Sequence, residues 1–209
     1  RLAPFQCVHG WGHPITSGIP NIDCFISLKN SFSQNKKIYY SEKKVCFFNL
    51  SSYYYQPSIR DPSCLRKYAI RNKLDTSEID KDIIYTKKDF NLDETKNIYV
   101  CIQSFFKINT DLTNICYKIV EKDTNALVVF IGKNELKLKH DSFLFLNKMN
   151  SRDILGLISI SDVILDTIGW SGGNTSIEAI YLNKPIVTMK GYSLRANHTL
   201  AMLKQMHLD

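Results

Sequence analysis

One stretch, residues 162–191, constrains the fold more than any other. It runs Asp-Val-Ile-Leu-Asp-Thr, then Ile-Gly-Trp-Ser-Gly-Gly-Asn-Thr-Ser, then Ile-Glu-Ala-Ile-Tyr-Leu-Asn-Lys and Pro-Ile-Val-Thr-Met-Lys-Gly. The first run is short, apolar and β-branched, which suits a strand buried on both faces of a parallel sheet. The glycine-containing loop leads straight into a helix expected to bury Ile177, Ile180 and Tyr181, and a second strand is expected from Pro185. Such a unit crosses over right-handed and sets its loop at the carboxyl edge of the sheet, where open α/β folds bind ligands. Gly172 and Gly173 admit close backbone approach, while Asn174, Thr175 and Ser176 bring amides and hydroxyls to the first helical turn. That combination suits an anion. Glu178 lies just inside the helix, placed for a sugar hydroxyl rather than a second negative charge. The shape fits a nucleotide diphosphate; a Gly-rich turn closed by an ordinary N-cap is the alternative reading of the same residues.

Upstream, the chain alternates strand and helix. Strands are predicted over Asn97 to Gln103, Ala126 to Ile131 and Phe143 to Leu146. Helical spacing joins Leu112, Ile115, Cys116, Ile119 and Val120, and again Ile154 to Ile158. Alternation of this kind makes a parallel, doubly wound sheet. Gln103 to Asn109 links the first strand to the first helix, so Lys107 stands at a strand's carboxyl end and reaches the crevice of the Gly172 loop. A cation there would offset a diphosphate's charge; a solvated loop lysine is the other reading.

The first half is less regular. Arg1 to Val8 and Ile22 to Ile26 read as strands around a Gly-Trp-Gly-His-Pro-Ile-Thr-Ser-Gly loop. His13 is either hydrogen-bonded beneath that loop or, with Gly12 and Thr16, lines a polar pocket. A short helix and then a strand at Val45 to Phe48 are expected next, and Tyr53 to Tyr55 read as packing residues, because three consecutive aromatics point in different directions. Residues 56–95, with Pro57, Pro62 and alternating Lys and Asp, read as an exposed linker and the domain boundary.

Charge excludes a nucleic-acid arm. The net +7 is spread, with 14 basic and 10 acidic side chains before residue 96 and 13 and 10 after it, whereas nucleic-acid binding needs a concentrated patch. No apolar run approaches the roughly 20 residues of a membrane span. Six cysteines without a Cys-x-x-Cys pair read as free buried thiols in a reducing, cytoplasmic protein. Glycosylation-type triplets at Asn49, Asn174 and Asn197 read as chance matches. No Asp, His and Cys cluster has metal-ligand spacing, and no Gly-x-Gly-x-x-Gly marks a dehydrogenase. An opening Arg and an ending without a polar tail suggest a fragment of a longer protein.

Taken together, these residues resemble the catalytic region of O-GlcNAc-transferase-like glycosyltransferases, especially the bacterial SPINDLY-like members, along almost the whole chain. The matching segments are Arg1 to Gln6, Trp11 to Gly18, Cys101 to Ile108, Asp162 to Thr167 and Ser171 to Ala179. The resemblance implies a GT-B architecture of two Rossmann-like doubly wound domains facing a cleft. Residues 1–90 would be the end of an incomplete acceptor-side domain with its linker, and residues 91–209 a nucleotide-sugar domain. It implies inverting transfer without a metal or a cofactor, a UDP-sugar serving as co-substrate. Lys107 would be catalytic, stabilising the departing diphosphate. Gln103, Ser104 and Gly172 to Ser176 would hold the donor, Glu178 the ribose, and backbone near Lys148 and Met149 the base. Gly12 and Pro14 would face the sugar from the other domain, beside His13 and Thr16. Animal members carry a histidine where this chain has Asn174, so the phosphate contact departs in detail. The family's histidine-bearing acceptor loop and any tetratricopeptide repeats would lie upstream of Arg1. The expected activity moves a sugar, N-acetylglucosamine by resemblance, from UDP to a Ser or Thr hydroxyl of a protein. The alternatives are a nucleotide-sugar epimerase of the same architecture and a non-catalytic module that binds nucleotide or protein.

Overall fold

The structure, a computed structural model, describes residues 2–11, 15–28, 40–48 and 85–208. Gly12, His13, Pro14, the helix expected before residue 40, Asn49, the Tyr53 to Tyr55 cluster, Cys64 and the linker before residue 85 lie outside them.

Two parallel sheets are described. The first joins β1 (Cys7–His9), β2 (Cys24–Leu28) and β3 (Lys43–Phe47) in that order, with Cys7 opposite Cys24 and Ile26 opposite Val45. The second contains β4 (Asn97–Cys101), β5 (Ala126–Ile131), β6 (Phe143–Leu146), β7 (Val163–Leu165) and β8 (Ile186–Val187). Its order is β6-β5-β4-β7-β8. The helices of this half are α1 (Thr110–Lys122), α2 (Ser151–Ile160), α3 (Asn174–Tyr181) and α4 (His198–Gln205).

The two-residue period of the strands divides the core. Ala126, Val128 and Phe130 of β5 turn to one face, where Leu112, Cys116 and Val120 of α1 cover them. Val129 turns to the other, joining Ile98 and Val100 of β4, Ile164 of β7, Leu157 and Ile158 of α2 and Ala179 of α3. Helices on both faces of a parallel sheet make the doubly wound arrangement read from the sequence. The helix starts are fixed locally. Asn109 caps α1 by accepting from the Leu112 amide, and Asn150 caps α2 by accepting from the Asp153 amide.

Three expectations need correction. On α3 the buried residues are Ser176 and Ala179, whereas Tyr181 is 37% exposed. The helix is short and packs against α2 and α4, so its inner face takes small side chains, and the Ser176 hydroxyl pairs with Thr199 Oγ1 at 2.7 Å. The end of the expected linker is packed rather than exposed. Tyr85, Phe90 and Leu92 recur among the charges and join the second core cluster, the Tyr85 and Phe90 rings stacking at 5.6 Å. Tyr85 also donates to Asp153 Oδ1 at 3.0 Å. Finally, Cys24, Cys101 and Cys116 are buried free thiols, but Cys7 and Cys46 are exposed, since both sit on edge strands of the three-stranded sheet whose central strand carries Cys24.

Gly156 explains how the Tyr85 segment fits. A Cβ there would stand 2.5 Å from the Tyr85 ring, so a mid-helix glycine is kept despite its low helix propensity. Gly156→Ala is therefore expected to destabilise by about 1 to 3 kcal/mol in urea titrations. In a Tyr85→Ala background the same change reverses sign and gains up to about 1 kcal/mol. Destabilisation of equal size in both backgrounds would show that the ring does not occupy that space.

Candidate functional site

Strand order reverses between β4 and β7, which opens a crevice at their carboxyl ends. Two connections meet there. After β4 come Gln103 and Ser104 and a 3-10 turn, Phe105–Lys107. After β7 comes the loop from Asp166 to Gly173. A hydrogen-bonded chain ties them together: Lys107 Nζ donates to Gln103 Oε1 at 2.9 Å, and Gln103 Nε2 donates to Thr175 Oγ1 at 2.6 Å. Gln103 is buried, so its amide holds the ammonium and the helix hydroxyl in fixed relation.

Asp166 sets the loop. Its buried carboxylate accepts from the amides of Gly172 at 2.7 Å and Thr167 at 2.9 Å and from Thr188 Oγ1 at 2.8 Å. Burial pushes its pKa up against the pull of these hydrogen bonds. Ser171 adds a second tie, donating its amide to the Arg195 carbonyl at 2.9 Å and accepting from the His198 amide at 2.9 Å. The loop delivers α3 with no side-chain cap on its first turn. The amides of Asn174 and Thr175 have no intrahelical carbonyl to bond, and the helix dipole places partial positive charge beside them.

Lys107, Gln103, Gly173, Asn174 and Thr175 line one cavity of about 350 Å³, together with Trp11, Trp170, Ser171 and His198. Trp11 crosses from the first sheet's side: its indole donates to Asn174 Oδ1 at 3.4 Å and meets the His198 ring edge-on at 5.2 Å. Lys107 Nζ lies 5.4 Å from the Trp170 ring and Arg195 Cζ 4.9 Å from it, so two cations share one aromatic wall. Burial lowers the Lys107 pKa, opposed by the charge of Asp166. A second cavity of about 430 Å³ shares Gln103 and adds Ser104, Phe106, Lys133, Lys148 and Met149. Of the residues picked from the sequence, eight thus fall on two adjoining cavities that share Gln103: Lys107, Gly173, Asn174 and Thr175 on the first, Ser104, Lys148 and Met149 on the second, and Gln103 on both.

Others are placed differently. Gly172 is buried and its amide is taken by Asp166, so it shapes the cradle without offering a donor. The Ser176 hydroxyl faces α4. Glu178 is half-buried and lines neither cavity, its pKa raised by burial. Thr16 donates to Glu42 Oε2 at 2.7 Å, part of a clasp in which the Ser17 amide and hydroxyl also bond that buried carboxylate. Burial would raise the Glu42 pKa, but these donors outweigh it and bring it down to about 2. Asn197 is buried and bonded through its amide to the backbone of Gly191 and Ser193, which explains its triplet without glycosylation. Trp11, Trp170 and His198 lacked assigned roles in the sequence reading. The two tryptophans adjoin motif residues, a usable signal; His198 falls in the Asn197 triplet, which points to no ligand.

Among the described residues no group of three or more His, Cys, Asp and Glu is placed to hold a metal ion, and no helix is long and apolar enough to cross a membrane. No protein-family model matches the chain, and no curated protein does. Among solved structures, an O-GlcNAc transferase mutant from Thermobaculum terrenum superposes with a TM-score of 0.72 at 19% identity, covering 99% of this chain and 37% of that one. At that identity the likeness establishes a shared fold, and the chain spans just over a third of that protein's length. A Listeria monocytogenes protein described as a UDP-N-acetylglucosamine 2-epimerase gives a TM-score of 0.41 at 12% identity over 61% of this chain and 40% of its own, too low to carry an argument.

Gly172 tests the cradle. A Cβ there would collide with Ser176 Oγ and stand 2.8 Å from Gln103 Nε2 and 3.1 Å from Thr175 Oγ1. Gly172→Ala is expected to displace Gln103 and weaken binding of a nucleoside diphosphate by about tenfold or more in calorimetry. Unchanged affinity would mean that the Lys107, Gln103 and Thr175 chain is not part of a binding site.

Proposed function

We propose that this chain carries the donor-binding part of an inverting, metal-independent glycosyltransferase that moves a sugar from a UDP-sugar to a hydroxyl acceptor. The observation that carries the reading is the chain from Lys107 through Gln103 to Thr175, which fixes one ammonium beside the uncapped start of α3. The fold shared with an O-GlcNAc transferase supports it. N-acetylglucosamine as the sugar and protein Ser or Thr as the acceptor follow from that likeness and the sequence resemblance. Upstream tetratricopeptide repeats and the division into an acceptor-side part, residues 1–90, and a nucleotide-sugar part, residues 91–209, are proposed on the sequence resemblance, and a cytoplasmic setting on the unpaired cysteine pattern.

In this reading the diphosphate lies against the amides of Asn174 and Thr175 with Lys107 above it. The base enters the cavity of Ser104, Lys148 and Met149. Gly12 and Pro14, which lie outside the described residues, are assigned to the sugar by the sequence resemblance alone. The sequence resemblance assigns the ribose to Glu178, which lines neither cavity, so this contact needs the ribose to reach past the first turn of α3 to a half-buried carboxylate whose pKa burial raises. As the sugar leaves, negative charge gathers on the phosphate oxygens, and a cation held in place stabilises that charge more than it stabilises the bound donor. The trapped Gln103 amide keeps the ammonium from following solvent. The first step is then loss of the sugar-to-phosphate bond as the acceptor oxygen attacks from the opposite face, its proton passing to a base outside the described residues.

Lys107→Met in the intact protein is expected to lower kcat by about 100-fold or more while weakening UDP-sugar binding by about tenfold or less. Lys107→Arg recovers part of the rate, because the Gln103 contact fits one ammonium. The assay is mass spectrometry of a reaction with UDP-sugars and acceptor protein in chelator. Near-normal turnover in Lys107→Met removes the leaving-group role. Donor conversion to a sugar epimer without transfer would replace the transferase with an epimerase, and donor binding without either product would leave a binding module.

A further inference from the structure

His198 is nine-tenths buried, yet its ring lines the same cavity as Lys107 and Thr175. Its position is built. The backbone amide is held by Ser171 Oγ at 2.9 Å, and the ring meets Trp11 edge-on, 5.2 Å between centroids at 81°. No described residue hydrogen-bonds either ring nitrogen. A buried imidazole that faces a cavity and has no hydrogen-bond partner among the described residues lacks there the bond that burial normally demands. The cavity also holds the ammonium of Lys107, and the charged groups next to it are Asp166, behind the Gly172 loop, and Arg195, against Trp170.

We propose that His198 is a further ligand of the donor's diphosphate, beside Lys107 and the α3 amides, and that it takes up a proton from solvent as the diphosphate enters. This rests on the nucleotide-donor reading above. The physical reason is a change of sign in the local field. In the empty site, burial and then the charge of Lys107 hold the imidazole neutral, with its pKa down to about 4. An incoming diphosphate brings negative charge into the same space, offsets Lys107 and favours the imidazolium. The bound pKa therefore lies above the free one, and the added affinity grows as pH falls through the bound value. The neutral ring already offers one N–H to a phosphate oxygen; protonation makes that bond charge-assisted and frees the second nitrogen as another donor. Departure of the diphosphate then returns the proton to solvent. The site thus gains positive charge only while its ligand is present, which spares the apo protein a second buried cation beside Lys107.

The test is calorimetric titration of UDP into the intact protein at pH 7, in buffers of different ionisation heat, for wild type and His198→Gln. UDP's own phosphate titration is common to both proteins, so the difference belongs to His198. Wild type is expected to take up more protons than the variant, and the variant to bind UDP about tenfold more weakly. Equal proton uptake and equal affinity would reduce His198 to a packing residue while leaving the donor site intact. Failure of wild type to bind UDP at all would overturn the donor reading and this inference with it. Should the variant fail to fold, imidazole NMR shifts of the wild type at pH 6.5 decide: a ring that moves from neutral towards protonated on adding UDP supports the proposal, and an unmoved ring overturns it.

Discussion

The Asp166 carboxylate is the interaction on which the site depends. It stands at the end of β7, where the chain must leave the sheet, turn back and start α3 within a few residues. By accepting from the amides of Thr167 and Gly172 it closes that turn, and by accepting from Thr188 it ties the turn to the end of the next strand. A carboxylate so enclosed is costly to bury, and the upward push on its pKa records the cost. Removing it would leave the Gly172 amide buried and unpaired, a penalty of about 1 to 3 kcal/mol before any effect on binding. In return the start of α3 is presented at one height above the sheet, within reach of Gln103.

From that fixed point the electrostatics follow. The free amides of α3 and the ammonium of Lys107 bring positive charge to the cavity, and the Arg195 guanidinium stands against the Trp170 ring that lines it. Asp166 sits behind the loop and spends its oxygens on backbone and hydroxyl donors, so it steadies Lys107 without presenting negative charge to a ligand. Gln103 lines both cavities, and its two bonds, from Lys107 and to Thr175, hold together residues of the first. A ligand with an anionic middle and an aromatic end matches this pair of spaces better than one with charge at its end.

Much of this was legible in the sequence, for identifiable reasons. Ala126 to Ile131 and Phe143 to Leu146 are legible residue for residue as strands, because buried parallel strands leave unbroken apolar runs. Lys107 and the Gly172 loop were placed at one sheet edge because alternation of strand and helix fixes which ends carry loops. On α3, periodicity ranks large apolar side chains above small ones, whereas Ser176 turns in to pair with Thr199 of α4 and Ala179 turns in to the core under α2. The packing of Tyr85 was hidden by the charges around it. Trp11 and His198 reach the site through tertiary contact alone, one from the first sheet's side and one from a later helix. No local pattern encodes such convergence.

The most direct measurement is a crystal structure of the protein with UDP bound. The expected result places the diphosphate oxygens within hydrogen-bonding distance of the Asn174 and Thr175 amides and of Lys107 Nζ, with the uracil in the cavity beside Ser104 and Met149. A diphosphate bound elsewhere, or a Lys107 turned away into solvent with its Gln103 bond broken, would contradict the assignment of this crevice as a donor site.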